Sequence, residues 1–184
     1  MIDDYSNYLV WLDLEMTGLS PKHNRILEIA TIITDSKLTI IAEGPNLIIH
    51  QPPEILQHMD DFVTKMHTDS GLIARVQQST LTEQEAEQQT LHFLTPYLKP
   101  QVAPLCGNSI WKDRHFLAEY MPHLEQFFHY RLIDVSTLKE LARRWAPSVY
   151  ENFQKQGTHR ALQDIQESIA ELNYYKEHLI HITE

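Results

Sequence analysis

The sequence holds a single cysteine, Cys106, among 184 residues. One thiol cannot close an internal disulfide or build a zinc site by itself. A disulfide scaffold is therefore excluded, and the chain reads as a protein of a reducing compartment, the cytoplasm. Long apolar runs are absent as well. None approaches the ~18 residues a membrane-spanning helix needs, and the opening Met1-Ile2-Asp3-Asp4 has neither the basic nor the apolar part of a secretory signal. Glycine is scarce, with five residues, and no Gly/Ser linker, low-complexity tract or internal repeat interrupts the chain. One domain over residues 1–184 is expected, since ~100–200 residues is the usual size of a domain with its own core. Basic residues are in short supply: 15 Lys and Arg face 25 Asp and Glu, a net charge of −10 with a pI of about 5.5. That balance argues against a basic groove tracking a long nucleic-acid strand.

What is present reads as alternating strands and helices. Residues 8–14 form an apolar strand that ends in the polar turn Met16-Thr17-Gly18-Leu19-Ser20-Pro21. The β-branched runs 25–34 and 38–42 form a hairpin around Asp35-Ser36-Lys37, and 46–50 continues the second arm past Gly44-Pro45. Residues 53–79 read as short helices and loops. Thr82-Glu83-Gln84-Glu85 is a capping box that opens a helix toward Tyr97. Further strands are expected over 103–107 and 132–135, with helices over 110–120 and 136–145, the latter stopped by Pro147. Leu162, Ile165, Ile169, Leu172 and Leu179 recur at helical spacing and mark a long last helix. A meander followed by alternating helices and strands predicts an α/β fold with a mixed sheet.

Three groups of residues carry chemistry. Asp13 and Glu15 stand two apart near the end of the first strand, so both face one side of the sheet. Adjacent carboxylates repel, and a divalent cation with a preference for hard oxygen ligands resolves the conflict. The ordinary reading is one solvated acid and one cap. Asp113 follows Gly107-Asn108-Ser109 at a strand-to-helix junction, where α/β sheets place ligand groups, although a first-turn acid is favoured by the helix dipole in any case. His159 precedes the last helix, and Asp164 lies on the flank of its apolar stripe, where an acid needs a partner. With 11 histidines in the chain, His159 stands out only by its spacing from Asp164.

Together, Asp13-x-Glu15, Asn108-Ser109-x-x-x-Asp113 and His159-x-x-x-x-Asp164 resemble the DEDD exonucleases of the histidine subclass, 3′-to-5′ enzymes with a ribonuclease H-like fold. The stretches Trp11–Leu19 and Gly107–Arg114, the segment Met59-Asp60-Asp61 to His67-Thr68-Asp69-Ser70-Gly71-Leu72, and Tyr130-Arg131-Leu132-Ile133-Asp134-Val135-Ser136 look more specifically like the oligoribonuclease family, in order from about Tyr8 to Tyr175. The resemblance implies a mixed five-stranded sheet flanked by helices and two divalent cations, Mg²⁺ or Mn²⁺, held by Asp13, Glu15, Asp113 and Asp164. It implies His159 as the general base toward water and very short RNA, dinucleotides above all, as substrate. Leu19 is then a wedge between two bases, while His67, Ser109, Arg131 and Ser136 enclose the 5′ phosphate, with Tyr130 reaching over from the second subunit of a homodimer. Phe62 stands where that family usually has tryptophan and is expected to stack on a base with less ring area. Alternatives left open are a ribonuclease T-like or polymerase-proofreading-like exonuclease acting on longer strands, a binding module that lost catalysis, and a structural protein with solvated acids.

Overall fold

The computed structural model describes residues 7–154 and 160–180. Two long strands, β1 (Leu9–Met16) and β2 (Ile26–Thr34), pair antiparallel, with Asp13 opposite Ala30, Leu14 opposite Ile29 and Glu15 opposite Glu28. Every residue of β2 is buried, as its near-continuous apolar run requires of a strand covered on both faces. β3 (Ile40–Glu43) pairs with β2 around Ile32–Thr34, and the two-residue β4 (Leu47–Ile48) pairs with it around Glu28 and Ile29. The arm predicted on either side of Gly44-Pro45 is thus two strands on the same edge of β2. A side chain at Gly44 would collide with Thr31 and Phe93, and proline cannot donate to the ladder. β5 (Leu105–Gly107) and β6 (Leu132–Asp134) extend the other side in parallel, giving the order β3-β2-β1-β5-β6. The expected five-stranded mixed sheet is this path, and β4 is a sixth, short strand outside it.

The segment read as short helices and loops resolves into α1 (Pro53–Leu56), α2 (Asp61–Asp69) and α3 (Leu72–Gln78), which pack Leu56, Met59, Leu72 and Val76 against Leu27. α4 (Glu83–Leu94) opens on the expected capping box: Thr82 Oγ1 accepts from Glu85 N–H at 3.2 Å, and Glu85 Oε2 accepts from Thr82 N–H at 2.9 Å. α5 (Trp111–Tyr120) matches the helix expected over 110–120 and is followed by α6 (Pro122–Phe127), which was not expected. α7 (Val135–Trp145) ends at Ala146, and Pro147 occupies the first turn of a short α8 (Pro147–Glu151), a position where its missing N–H costs nothing. α9 (Ala161–His178) closes the fold.

Alternation along β1 divides the core. Val10, Leu12 and Leu14 face α4, α5 and α6 through Ala86, Leu94, Phe116, Leu117 and Leu124. Trp11 faces the opposite way with Ile32 and Cys106, against Val135 and Ala142 of α7 and Ala161, Ile165 and Ile169 of α9. Asp13 and Glu15 share the parity of Trp11, so they lie on the face that α9 covers. Among the described residues, no helix is long and apolar enough to cross a membrane.

Candidate active site

That parity brings three acids together. Asp164 sits in the first turn of α9, its N–H bonded to Arg160 C=O at 3.0 Å. A carboxylate oxygen from each of Asp13, Glu15 and Asp164 lies within 4.8 Å of the others. Asp113, in the first turn of α5, is buried, and its Oδ1 accepts from Leu14 N–H at 2.9 Å, between the two acidic positions of β1. Burial, reinforced by Asp113, Glu15, Asp164 and Glu28, raises the Asp13 carboxyl well above the usual carboxylate range. Burial first, then Asp164, Glu28 and Asp113, pushes Glu15 up to about 8, with Arg160 pulling the other way. Asp113 is pushed up to about 7 by burial, against the pull of the backbone N–H groups of Leu14 and of its own residue. So many oxygens crowded under partial burial is an arrangement that a hard divalent cation stabilises. The donor set of Asp13, Glu15 and Asp164 fits Mg²⁺ or Mn²⁺. Asp113 belongs to the same charged cluster, but its Oδ1 is committed to the β1 backbone.

Beside Glu15 lies a cleft of about 540 Å³, lined by Leu14–Leu19, Asn24, and α2 with the residues before it. Leu19 is 67% exposed and Phe62 75% exposed, and both line this cleft. Large apolar side chains held in water at the rim of an acidic site have no packing reason to be there. Phe62 is held by α2, whose N-cap Asp60 accepts from Val63 N–H at 2.8 Å.

Two of the residues expected around the 5′ phosphate lie together. Ser109 and Ser136 meet, with Ser109 N–H donating to Ser136 Oγ at 2.8 Å and the two hydroxyls 3.1 Å apart. Ser109 holds a left-handed backbone (φ 52°), costly for a residue with a side chain. Asp134 offsets that cost by accepting from both Ser109 N–H (2.9 Å) and Ser136 N–H (3.0 Å), so Asp134, and not Ser136, caps α7. The two serines line a pocket of about 460 Å³ with Trp111, Thr137 and Arg144. Arg131 and Tyr130 are exposed at the start of β6, the guanidinium 5.5 Å from the tyrosine ring. The His67 ring is fully buried, with Nε2 on the Met16 carbonyl at 2.9 Å and Nδ1 3.9 Å from Glu15 Oε2, and it braces the end of β1. His159 lies outside the described residues.

Sequence reasoning gave no role to Glu28, Arg160, Asn108 or Asp134. Glu28 had a visible signal, since an acid inside the run Ile26–Thr34 must be buried with it. Arg160 donates to both Glu28 oxygens, Nη2 to Oε1 at 2.9 Å and Nε to Oε2 at 3.1 Å. Asn108 joins the serine pair to α9, donating to Ser168 Oγ at 2.9 Å and Glu171 Oε2 at 3.0 Å, while its Oδ1 accepts from Ser136 Oγ at 3.2 Å.

Known proteins share much of this sequence, and others share its fold. Residues 10–172 match the exonuclease family that takes its name from ribonuclease T. An oligoribonuclease of Marinobacter nauticus is 60% identical over 170 residues, 92% of this chain and 94% of its own. That of Escherichia coli K12 is 57% identical over 174 residues, covering 95% and 96% of the two chains. Among solved structures, E. coli exonuclease I superposes with a TM-score of 0.71 at 13% identity, over 94% of this chain. Exonuclease I of Methylocaldum szegediense gives 0.64 at 18% identity, also over 94%. In each case this chain spans 41% of the exonuclease I chain, and the likeness is one of fold. With β1, α5 and α9 delivering four acids to one end of that fold, and near full-length identity well above half, the chain belongs to the oligoribonuclease family of exonucleases.

Proposed function

We propose that this 3′-to-5′ exonuclease hydrolyses very short RNA, dinucleotides above all, to nucleoside monophosphates, with His159 as general base and two divalent cations, Mg²⁺ or Mn²⁺, in the site. The observation that carries the reading is the group of Asp13, Glu15 and Asp164 oxygens within 4.8 Å of one another, opening beside the cleft that Leu19 and Phe62 line. Divalent cations held by these acids supply neutralising charge and Lewis acidity for phosphodiester hydrolysis. The protein's own groups do the rest. Leu19 and Phe62 hold the two bases apart and stacked, so that the single linking phosphate rests at the acids. Ser109, Arg131 and Ser136 receive the 5′ phosphate, where the planar guanidinium suits bidentate contact. His159 accepts the proton of the attacking water, a role that histidine, with an unperturbed pKa of ~6.5, can fill near neutral pH. The exposed Tyr130 ring (72%) supports a homodimer in which each copy lends that ring to its partner's site. One domain over residues 1–184 and a cytoplasmic setting complete the reading, the latter on the strength of bacterial relatives and a single buried thiol.

His159→Ala separates proton transfer from binding. We expect kcat to fall by about 10²–10⁴-fold while calorimetric Mn²⁺ affinity stays within about twofold of wild type. Asp13→Ala should lose Mn²⁺ affinity and activity together. Near wild-type kcat in the first variant, or intact Mn²⁺ affinity in the second, contradicts the roles assigned.

A further inference from the structure

We infer that Arg160 and Glu28 form a buried positioning clamp, an ion pair that fastens the start of α9 to β2 and cancels a carboxylate that would otherwise stand as a fifth acid beside Glu15. The inference rests on the reading of Asp13, Glu15 and Asp164 as cation ligands. Glu28 is fully buried and is the cross-strand partner of Glu15 in the β1/β2 ladder. Its two oxygens are both taken by Arg160, at 2.9 and 3.1 Å, across 132 residues of sequence. The contact is bidentate, the geometry that most restricts a guanidinium. Glu28 is thereby withdrawn from the ligand set although its charge lies within reach of Asp13 and Glu15.

Arg160 is placed to convert that restraint into geometry. It is the N-cap residue of α9, in extended conformation (φ −135°, ψ 121°), and its carbonyl accepts the Asp164 N–H. It also follows His159 directly in the chain. A side chain locked to the sheet and a backbone carbonyl locked to Asp164 fix the first turn of α9 from both ends. Both residues are positioning residues, since neither is placed to touch substrate. Breaking a buried pair from either side leaves one uncompensated charge, and the two sides leave opposite charges. That opposition separates a clamp beside a cation site from a pair that merely supports the fold.

The test is a Mn²⁺ titration of the metal-free full chain by calorimetry, with melting temperature and dinucleotide kinetics on the same proteins. Glu28→Gln strands the guanidinium, and Mn²⁺ Kd should rise about tenfold. Arg160→Gln strands the carboxylate, and Kd should fall several-fold. The double variant E28Q/R160Q replaces the pair with two neutral amides, and Kd should return to within about twofold of wild type. In all three, kcat should drop at least about tenfold with little change in KM, because the first turn of α9 is unfastened. Arg160→Lys keeps the charge but not the fork, so Mn²⁺ affinity should hold while kcat falls. If R160Q does not fold, the neutral double variant and R160K decide the matter. A shift of Kd in the same direction for E28Q and R160Q, or full kcat in the double variant, overturns the clamp while leaving the wild-type titration to report on the ligand reading. Absence of Mn²⁺ binding by wild type overturns the ligand reading and the clamp with it.

Discussion

Glu15 and Asp13 show how strongly the site depends on what it holds. A carboxyl whose folded-state pKa is raised binds its proton more tightly when folded than when unfolded, so folding loses stability as pH climbs between the two values. For Glu15 that window runs from the ordinary 4.5 to about 8, and the upward shift of Asp13 adds in the same direction. The metal-free protein should therefore melt at a falling temperature from pH 5 to pH 8, and Mg²⁺ or Mn²⁺ should recover the loss most at the alkaline end. A melting temperature that rises over that range in chelator contradicts the carboxyl environment described. Phe62 offers a cleaner reading of binding, because it is 75% exposed and contributes little to the core. Phe62→Ala should leave the melting temperature nearly unchanged and raise dinucleotide KM by ~10–100-fold, the worth of one stacked base. Equal KM values in the two proteins would remove the stacking role. At this scale the acids were legible in the sequence because strand parity and helix entry fix their direction. The orientation of His67 was not legible, since it depends on the packing of α2 against the end of β1, which spacing does not encode. Asp134 escaped notice because its two partners, Ser109 and Ser136, meet only once β5 and β6 lie side by side.

At the level of elements, local signals and tertiary demands mostly agree. The capping box at Thr82 was readable because both partners lie within four residues, and it carries no part of the site. Thr82→Ala should cost about 1 kcal/mol, lowering the melting temperature by a few degrees with kcat unchanged. A loss of activity at constant stability would show that α4 does more than support the face opposite the acids. The pairing of Glu28 with Arg160 marks where such reading ends. The run Ile26–Thr34 is a buried strand on any reading, yet the partner of its one acid lies at the N-cap of α9, and only the folded topology joins them. Likewise, the helix expected over 110–120 ends where α5 does, but α6 was not expected after it, and it is Met121, fully buried between them, that turns the chain.

The acidic balance of the whole molecule bears on the substrate proposed for it. A net −10 argues against a broad cationic surface for a long strand, whose binding depends on many phosphate contacts and weakens steeply with salt. The described surface instead offers isolated features, two exposed apolar side chains beside the acids and a serine pair near an arginine. On the proposed reading, these features receive one linking phosphate and one 5′ phosphate. The exonuclease I chains that share this fold are more than twice as long. The most direct measurement is a product time course with Mg²⁺ on 5′-phosphorylated RNAs from the dinucleotide to the heptanucleotide, with His159→Ala as control. We expect the dinucleotide to be consumed fastest by a wide margin, its kcat/KM exceeding that of the heptanucleotide by at least about tenfold, and turnover in the control at least about 100-fold slower. Equal or faster consumption of the heptanucleotide contradicts the account and returns the chain to the exonucleases of longer strands.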